Sequence, residues 1–334
     1  MIAVLIICKH NPIFRPLLKD NQPISFLPIS REKNLIHLAY SWLNSYFSRD
    51  KIYLLCEYGE EEQIKSMLPS VKEDKILIEP IRLSYSLSVS YASILLSRLE
   101  PEETVTIIPA DFLFSPEFRC ENWLFASNEF AGYDNIILPS INLSTANYNR
   151  PIIDSGKFKS NIRNIDFFEI NKISAVTQAK KSIKLFGKEG VFSGIIISSY
   201  NAIFNAIRIS KLNEVSDKIQ TAIFENRFNW DLLTNIYKKS GIIDDNTLFT
   251  SSNKKFFTIF LDTNPFYLDN WKNFFARFST DITNRNLIEG SVSINNCRET
   301  ACFNYDEENI VISDTDKLLI VKENGKVIIK SLIL

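Results

Sequence analysis

Asp111 follows the apolar run Val105–Ile108. In an open α/β sheet ligands bind at the carboxyl ends of the strands, so a carboxylate there can hold a hard cation such as Mg²⁺. The alternative is a structural one, in which the same carboxylate only caps the following turn. A second group of reactive residues follows the first apolar run, Ile2–Ile7. It reads Cys8-Lys9-His10-Asn11-Pro12-Ile13, with Arg15 just beyond. A phosphate cradle in this place needs glycine, because backbone N–H groups must approach the anion closely and often at positive φ. Here the first glycine is Gly59, and Pro12 removes a donor. Cys8 and His10 do not make a nucleophile and base, since neighbouring residues of an extended segment diverge and no third group orients them. His37, the other histidine, falls on a helical pattern and reads as surface or core rim.

The elements that must position these groups are legible from periodicity. Short β-rich runs alternate with amphipathic stretches from Ile2 to Leu138, the pattern of βαβ units and a mainly parallel sheet. Strands are expected at Ile2–Ile7, Ile52–Cys56, Ile76–Ile78, Val105–Ile108 and Ile136–Leu138. Ser30 is a candidate cap for a helix carrying Leu35, Ile36, Leu38, Ala39, Trp42 and Leu43. The stretch from Ser84 to Tyr91 alternates with period two and alone reads as a strand. Its continuation to Leu99 does not alternate, and parallel neighbours need a crossover, so a helix is expected there.

Residues Ile141–Lys159 form a polar insertion, and Ser199–Ile209 reads as a helix. After Trp271 the chain turns β-rich at Ile310–Ile312, Leu318–Val321 and Val327–Ile329, the last two joined by the hairpin pair Asn324-Gly325. No internal repeat is visible. The expected organisation is an α/β domain over 1–265, with a sugar-side insertion at 141–260, and a small β domain over 275–334.

Composition excludes several classes of function. With 38 Lys and Arg against 39 Asp and Glu, the formal charge of −1 provides no field to recruit nucleic acid. Five scattered cysteines suit a reducing compartment and no disulfide framework, and Cys297 and Cys302 lack the companions of a zinc site. The first apolar run is too short for a membrane span and has no cationic leader, so a cytoplasmic protein is expected.

Several segments resemble the sugar-nucleotide pyrophosphorylases, closest to the mannose-1-phosphate guanylyltransferases. They are Arg15-Pro16-Leu17, Pro23-Ile24-Ser25-Phe26-Leu27-Pro28-Ile29, Glu79-Pro80, Ile107-Ile108-Pro109-Ala110-Asp111, Phe167-Phe168-Glu169, Ser193-Gly194, Trp230-Asp231, Asn296-Cys297 and Asp314-Thr315-Asp316-Lys317-Leu318-Leu319. They run collinear over nearly the whole chain. The resemblance implies a Rossmann-like nucleotidyltransferase domain plus a small C-terminal β domain. In such proteins a sugar 1-phosphate attacks the α-phosphorus of a nucleoside triphosphate, a reaction that works mostly by neutralising and aligning charge.

Carried across residue by residue, the resemblance also shows what is missing. The family's G-G-x-G-T-R loop falls on Cys8 to Ile13, without its glycines and arginine, leaving Lys9, His10 and Arg15 as the cations that can face phosphate. The lysine of P-K-Q-F-L-P falls on Ile24, that of F-x-E-K-P on Ile170, and the R-N-T run on Leu83-Ser84-Tyr85. The asparagine of N-S-G falls on Phe192. Asp111 matches the first metal carboxylate, the second falls on Asn226, and Asp231 is a distant substitute. Implied contacts are Lys9, His10, Arg15 and Glu79 for nucleotide, and Glu169, Ser193 and Gly194 for sugar. The resulting expectation is a catalytically impaired homologue without a required cofactor, acting as a regulatory or scaffolding partner of an active pyrophosphorylase, as a homodimer, or as a binder of GTP or a GDP-sugar. The competing expectation is an active, Mg²⁺-dependent enzyme making GDP-mannose or a related nucleotide sugar through Arg15, Lys9 and Asp111.

Overall fold

The computed structural model describes the chain except for residues 8–11, 19–20, 102, 114–119, 143–150, 175–188, 226–227, 242, 250–254, 263–265, 269, 282 and 333–334. The chain forms two compact units, one comprising Met1–Ile7 and Tyr40–Pro265, the other Cys8–Ala39 and Phe266–Leu334.

The strands of the first unit are β1 (Ile2–Ile6), β2 (Ile52–Glu57), β3 (Ile76–Glu79), β4 (Val105–Pro109), β5 (Phe112–Leu113), β6 (Ile136–Ile137), β7 (Ser140–Asn142), β8 (Ile152–Ile162), β9 (Ile165–Ser174), β10 (Glu189–Phe192), β11 (Ile196–Ser198), β12 (Phe256–Thr258) and β13 (Phe260–Leu261). All but β5 join one mixed sheet in the order 13-7-10-8-9-12-6-11-4-1-2-3. Its parallel nucleus is 3-2-1-4, with Ile2 opposite Val105, Ala3 opposite Ile52 and Leu54 opposite Ile76. The five strands expected from the sequence are present, and the fold is the expected Rossmann-like α/β arrangement. The order reverses direction of growth between β1 and β4, which in open α/β sheets marks the crevice where ligands bind. Within the segment read as a polar insertion, Ile152–Ile162 is instead one arm of a long β8–β9 hairpin, turned at Arg163 and Asn164 with φ of 52° and 63°.

The helices are α1 (Leu35–Asn44), α2 (Glu61–Met67), α3 (Tyr85–Leu99), α4 (Glu121–Ala131), α5 (Tyr200–Arg208), α6 (Asn213–Phe224), α7 (Trp230–Lys239) and α8 (Trp271–Phe278). The ambiguous serine-rich stretch is α3, the crossover from β3 to β4, and the Ser84 hydroxyl caps it by accepting from the Leu87 N–H at 3.1 Å. Its period-two signal arose because the helix is buried on almost every side, so its serines are buried too and find partners. Ser86 Oγ donates to the Asp245 carbonyl at 2.7 Å, Ser90 Oγ lies 2.7 Å from Ser216 Oγ, and Ser93 Oγ donates to the Val89 carbonyl at 2.8 Å. Ser30 does not cap α1. It closes a turn with Lys33, and the helix starts at Leu35, where His37 Nδ1 accepts from the Asn34 N–H at 3.0 Å.

The second unit contains α8, packed on its own segment 12–18. Trp271 stacks edge-on against Phe14 with ring centroids 5.0 Å apart, and its indole N–H donates to the Ile13 carbonyl at 2.9 Å. The remaining strands are β14 (Phe266–Tyr267), β15 (Leu287–Glu289), β16 (Val292–Asn295), β17 (Ala301–Asn304), β18 (Ile310–Ser313), β19 (Leu318–Glu323) and β20 (Lys326–Ser331). Here the backbone repeats although no repeat is visible in the sequence. Strands β15, β17 and β19 stack in parallel, as do β16 and β18, so the chain coils as a short β-solenoid. Val292 lies opposite Ile310 and Ala301 opposite Leu319, one coil apart. Left-handed backbone recurs at matching corners, Asn296 with Asp314 and Glu299 with Lys317. What repeats is conformation and burial, not residue identity. The Asn324-Gly325 hairpin joins β19 to β20 as expected, both residues at positive φ.

Among the described residues no helix is long and apolar enough to cross a membrane. The cysteines at 56, 120, 297 and 302 are free thiols.

Two glycines of the solenoid predict different costs. At Gly290 (φ 90°) an added Cβ would overlap the Asn304 carbonyl oxygen, whereas at Gly325 (φ 72°) it would meet open space. Gly290→Ala is expected to lower the stability of this unit by about 2 kcal/mol or more, and Gly325→Ala by about 1 kcal/mol. Urea unfolding of both variants checks the order, and equal losses would contradict the described corner.

Candidate functional site

The parallel strands end at one edge, and the described residues there come from the junctions after β2, β3 and β4. Asp111 lies two residues beyond the end of β4 and is half-buried; the preceding Ala110 N–H donates to the Ile6 carbonyl at 2.8 Å, fixing the turn. Glu79 is the last residue of β3 and is only 1% exposed. Both of its carboxylate oxygens accept from Ser88 Oγ, at 2.9 and 3.0 Å, and its carbonyl accepts from the Tyr58 N–H at 2.9 Å. Burial pushes its carboxyl up to about 8, against the Arg82 charge and the Ser88 hydrogen bond, which pull it down. The neighbouring carboxylates of Glu57 and Glu60 push in the same direction as burial.

Arg82 went unnoticed in the sequence, and it organises this edge. Its side chain is buried, closely paired through Nη2 with Glu60 and 3.8 Å from Glu57 through Nη1. Its Nε is buried without a hydrogen-bond partner. The signal that would have pointed to it is an arginine three residues beyond a strand-terminal glutamate, with two more glutamates after the adjacent strand. A cation held this way has little capacity left for a phosphate.

The other expected site residues are spread over both units. Glu169 lies on β9, opposite Phe257, and is half-buried. Ser193 and Gly194 form the turn between β10 and β11. The Ser193 hydroxyl accepts from the Ile195 N–H at 3.1 Å, Gly194 has φ 85°, and its carbonyl accepts from the Tyr85 hydroxyl. These contacts hold the turn closed and are of the kind a structural turn makes. Arg15 belongs to the second unit, is exposed, and its carbonyl accepts from Lys330 Nζ at 3.0 Å. Lys9 and His10 lie outside the described residues, as does Asn226.

Of the positions where the resemblance expects polar groups, Ile24 is buried in the second unit and Phe192 is buried in the first, its ring 5.1 Å from that of Phe249. Ile170 packs partly buried against the main core, while Asp231 is exposed in the first turn of α7. Among the described residues no group of three or more His, Cys, Asp or Glu is arranged to hold a metal.

The buried carboxyl makes stability depend on pH. Folded, Glu79 keeps its proton up to about pH 8; unfolded, it releases it near the ordinary value of 4.5. The folded state therefore binds more protons across that window, and stability falls as pH rises through it. Glu79→Gln retains a hydrogen-bonding partner for Ser88 and cannot ionise. Its unfolding midpoint relative to the unaltered chain is expected to rise between about pH 5 and about pH 9. A difference constant across that range would show that Glu79 does not titrate there.

No protein-family model matches the sequence, and no curated protein matches it. Solved structures do. Mannose-1-phosphate geranyltransferase from Thermus thermophilus superposes over 98% of this chain and 94% of its own, with a TM-score of 0.75 at 14% identity. Mannose-6-phosphate isomerase from Helicobacter pylori covers 79% of this chain and 98% of its own, with a TM-score of 0.58 at 11% identity. A UDP-glucose pyrophosphorylase complexed with UDP-glucose covers 82% and 96%, with a TM-score of 0.50 at 12% identity. At such identities the likeness establishes architecture and leaves the reaction to be argued from the site. The chain thus has the fold of the nucleotide-sugar nucleotidyltransferases, over nearly its whole length.

Proposed function

We propose that this protein is a cytoplasmic, mannose-1-phosphate guanylyltransferase-like member of nucleotide-sugar metabolism that has kept the fold and lost most or all of the transfer chemistry. It serves as a regulatory or scaffolding partner, as a homodimer or beside a catalytic pyrophosphorylase, or as a binder of nucleotide sugar. Support for the ligand class comes from the fold neighbours, one of which is complexed with UDP-glucose.

The observation that carries the reading is the fate of the groups that nucleotidyl transfer needs. Such transfer depends on cations and amides aimed at developing negative charge. At the corresponding positions Ile24 is buried and Phe192 packs into the main core, and the arginine at the strand edge, Arg82, is already held by Glu60 and Glu57. Asp111 is the residue through which activity would survive, since it stands at the end of β4 where a metal-bound triphosphate would lie.

The test is a calorimetric titration with GTP and with GDP-mannose, each with and without Mg²⁺, followed by an assay of pyrophosphate release from GTP and mannose 1-phosphate. No release is expected, and Asp111→Ala is expected to alter stability alone. Mg²⁺-dependent GTP binding with release that Asp111→Ala abolishes would establish an active enzyme and overturn the proposal. Binding of GDP-mannose without turnover would support the nucleotide-sugar-binding form of it, and absence of both would support the form that acts through a protein partner.

A further inference from the structure

Arg82 closes a turn and keeps one donor unspent. Its side chain is 7% exposed, closely paired through Nη2 with Glu60 Oε2 and 3.8 Å from Glu57 through Nη1, while its buried Nε has no hydrogen-bond partner among the described residues. The same Glu60 oxygen accepts from the Glu57 N–H at 2.9 Å, and the Glu60 N–H donates to the Glu57 carbonyl at 3.1 Å. Arg82 therefore clamps the turn 57–60. Tyr58 rides on that turn, its ring centroid 5.5 Å from that of Trp230 on α7.

A third carboxyl feels the same cation. Glu79 ends β3, and the Arg82 charge acts on it. The three acids differ in their access to water. The Glu57 side chain is 35% exposed and that of Glu60 15%, so water can take over when their counter-ion leaves, whereas buried Glu79 has Ser88 Oγ as its hydrogen-bond donor. A carboxylate that water cannot reach needs a counter-ion far more than one that it can. The guanidinium stays charged throughout, and its Nε–H is available to a second partner. We propose that Arg82 is a counter-ion exchanged across this edge: it closes the turn 57–60 through Glu60 while Glu79 is protonated, and turns to Glu79, releasing the turn, once Glu79 is ionised.

The groups around Glu79 leave it as the one that switches. β2 brings Cys56 and Glu57, opposite Ile78 and Glu79 in register; α3 brings Ser88 and Tyr91; α7 brings Tyr237; and the loops bring Glu60 and Arg82. Burial raises the Cys56 thiol and the Tyr91 and Tyr237 phenols, which stay neutral, and Glu57 and Glu60 are the carboxylates of the Arg82 pairs. The Glu79 carboxyl, pushed up to about 8 by burial, sets where the exchange falls, on the alkaline side of neutrality. This goes beyond the nucleotide-sugar reading and does not depend on it.

Trp230 is a built-in reporter. The tryptophan emission of the full chain is followed from about pH 6 to about pH 9.5, with far-ultraviolet circular dichroism recorded alongside. Emission is expected to change with a midpoint near pH 8 while the dichroism stays constant. The change is expected to be lost in Trp230→Phe, which removes the reporter, and in Glu79→Gln, which cannot ionise. Glu60→Gln weakens the clamp without touching Glu79, and is expected to show at the acid end the emission that the unaltered chain reaches at the alkaline end. A flat titration of the unaltered chain overturns the proposal, as does a change that survives in Glu79→Gln. Glu60→Gln that keeps the unaltered emission at both ends overturns it by removing Arg82 from the mechanism. A dichroism change that tracks the emission overturns it by showing unfolding in place of exchange.

Discussion

A carboxyl group is buried at the mouth of the parallel strands, and the surrounding elements are arranged to satisfy it. Burying an acid without partners costs several kcal/mol, so the chain either neutralises it or surrounds it with donors. Glu79 has both remedies: burial favours its protonated form, and Ser88 on α3 meets both of its oxygens. This explains why the crossover helix carries a buried serine near its start. It also ties the end of β3 to the loop after β2, since Tyr58 N–H donates to the Glu79 carbonyl while Glu60 and Glu57 hold Arg82. One buried acid thus sets the positions of two loops at the edge where a ligand would bind.

Much of the first unit was legible in the sequence because apolar periodicity and capping are local signals. The runs at Ile52–Glu57 and Val105–Pro109 are largely apolar because strands inside a parallel sheet are covered on both faces. Ser84 and Ser199 cap their helices in the structure, each hydroxyl accepting a first-turn N–H, although only periodicity and the need for a crossover pointed to those helices in the sequence. Ser30 misled because a serine before an apolar run also suits a tight turn, and Lys33 completes one.

The second unit was less legible for a different reason. A β-solenoid is specified by corners and inward-facing positions spaced a coil apart, and these tolerate many residue types. Asn296 and Asp314 hold equivalent left-handed corners, joined by a hydrogen bond of 2.7 Å from Asn296 Nδ2 to Asp314 Oδ1, yet share no identity that a repeat search would recover. Nor does local pattern show that segment 12–18 belongs with α8. That association rests on Phe14, Trp271 and Phe274 meeting across more than two hundred residues of chain.

The candidate site was legible only through the resemblance, and packing shows what two of its positions contribute in this chain. Ile24, where the resemblance expects a lysine, is 3% exposed. A lysine there would bury an ammonium, and without a paired carboxylate that costs several kcal/mol. Phe192 is equally committed, since its ring is part of the contact with Phe249 and shrinking it to asparagine would leave a void lined by aromatic carbon. Side chains buried in this way contribute to the core, and packing energy therefore opposes a polar group at either position.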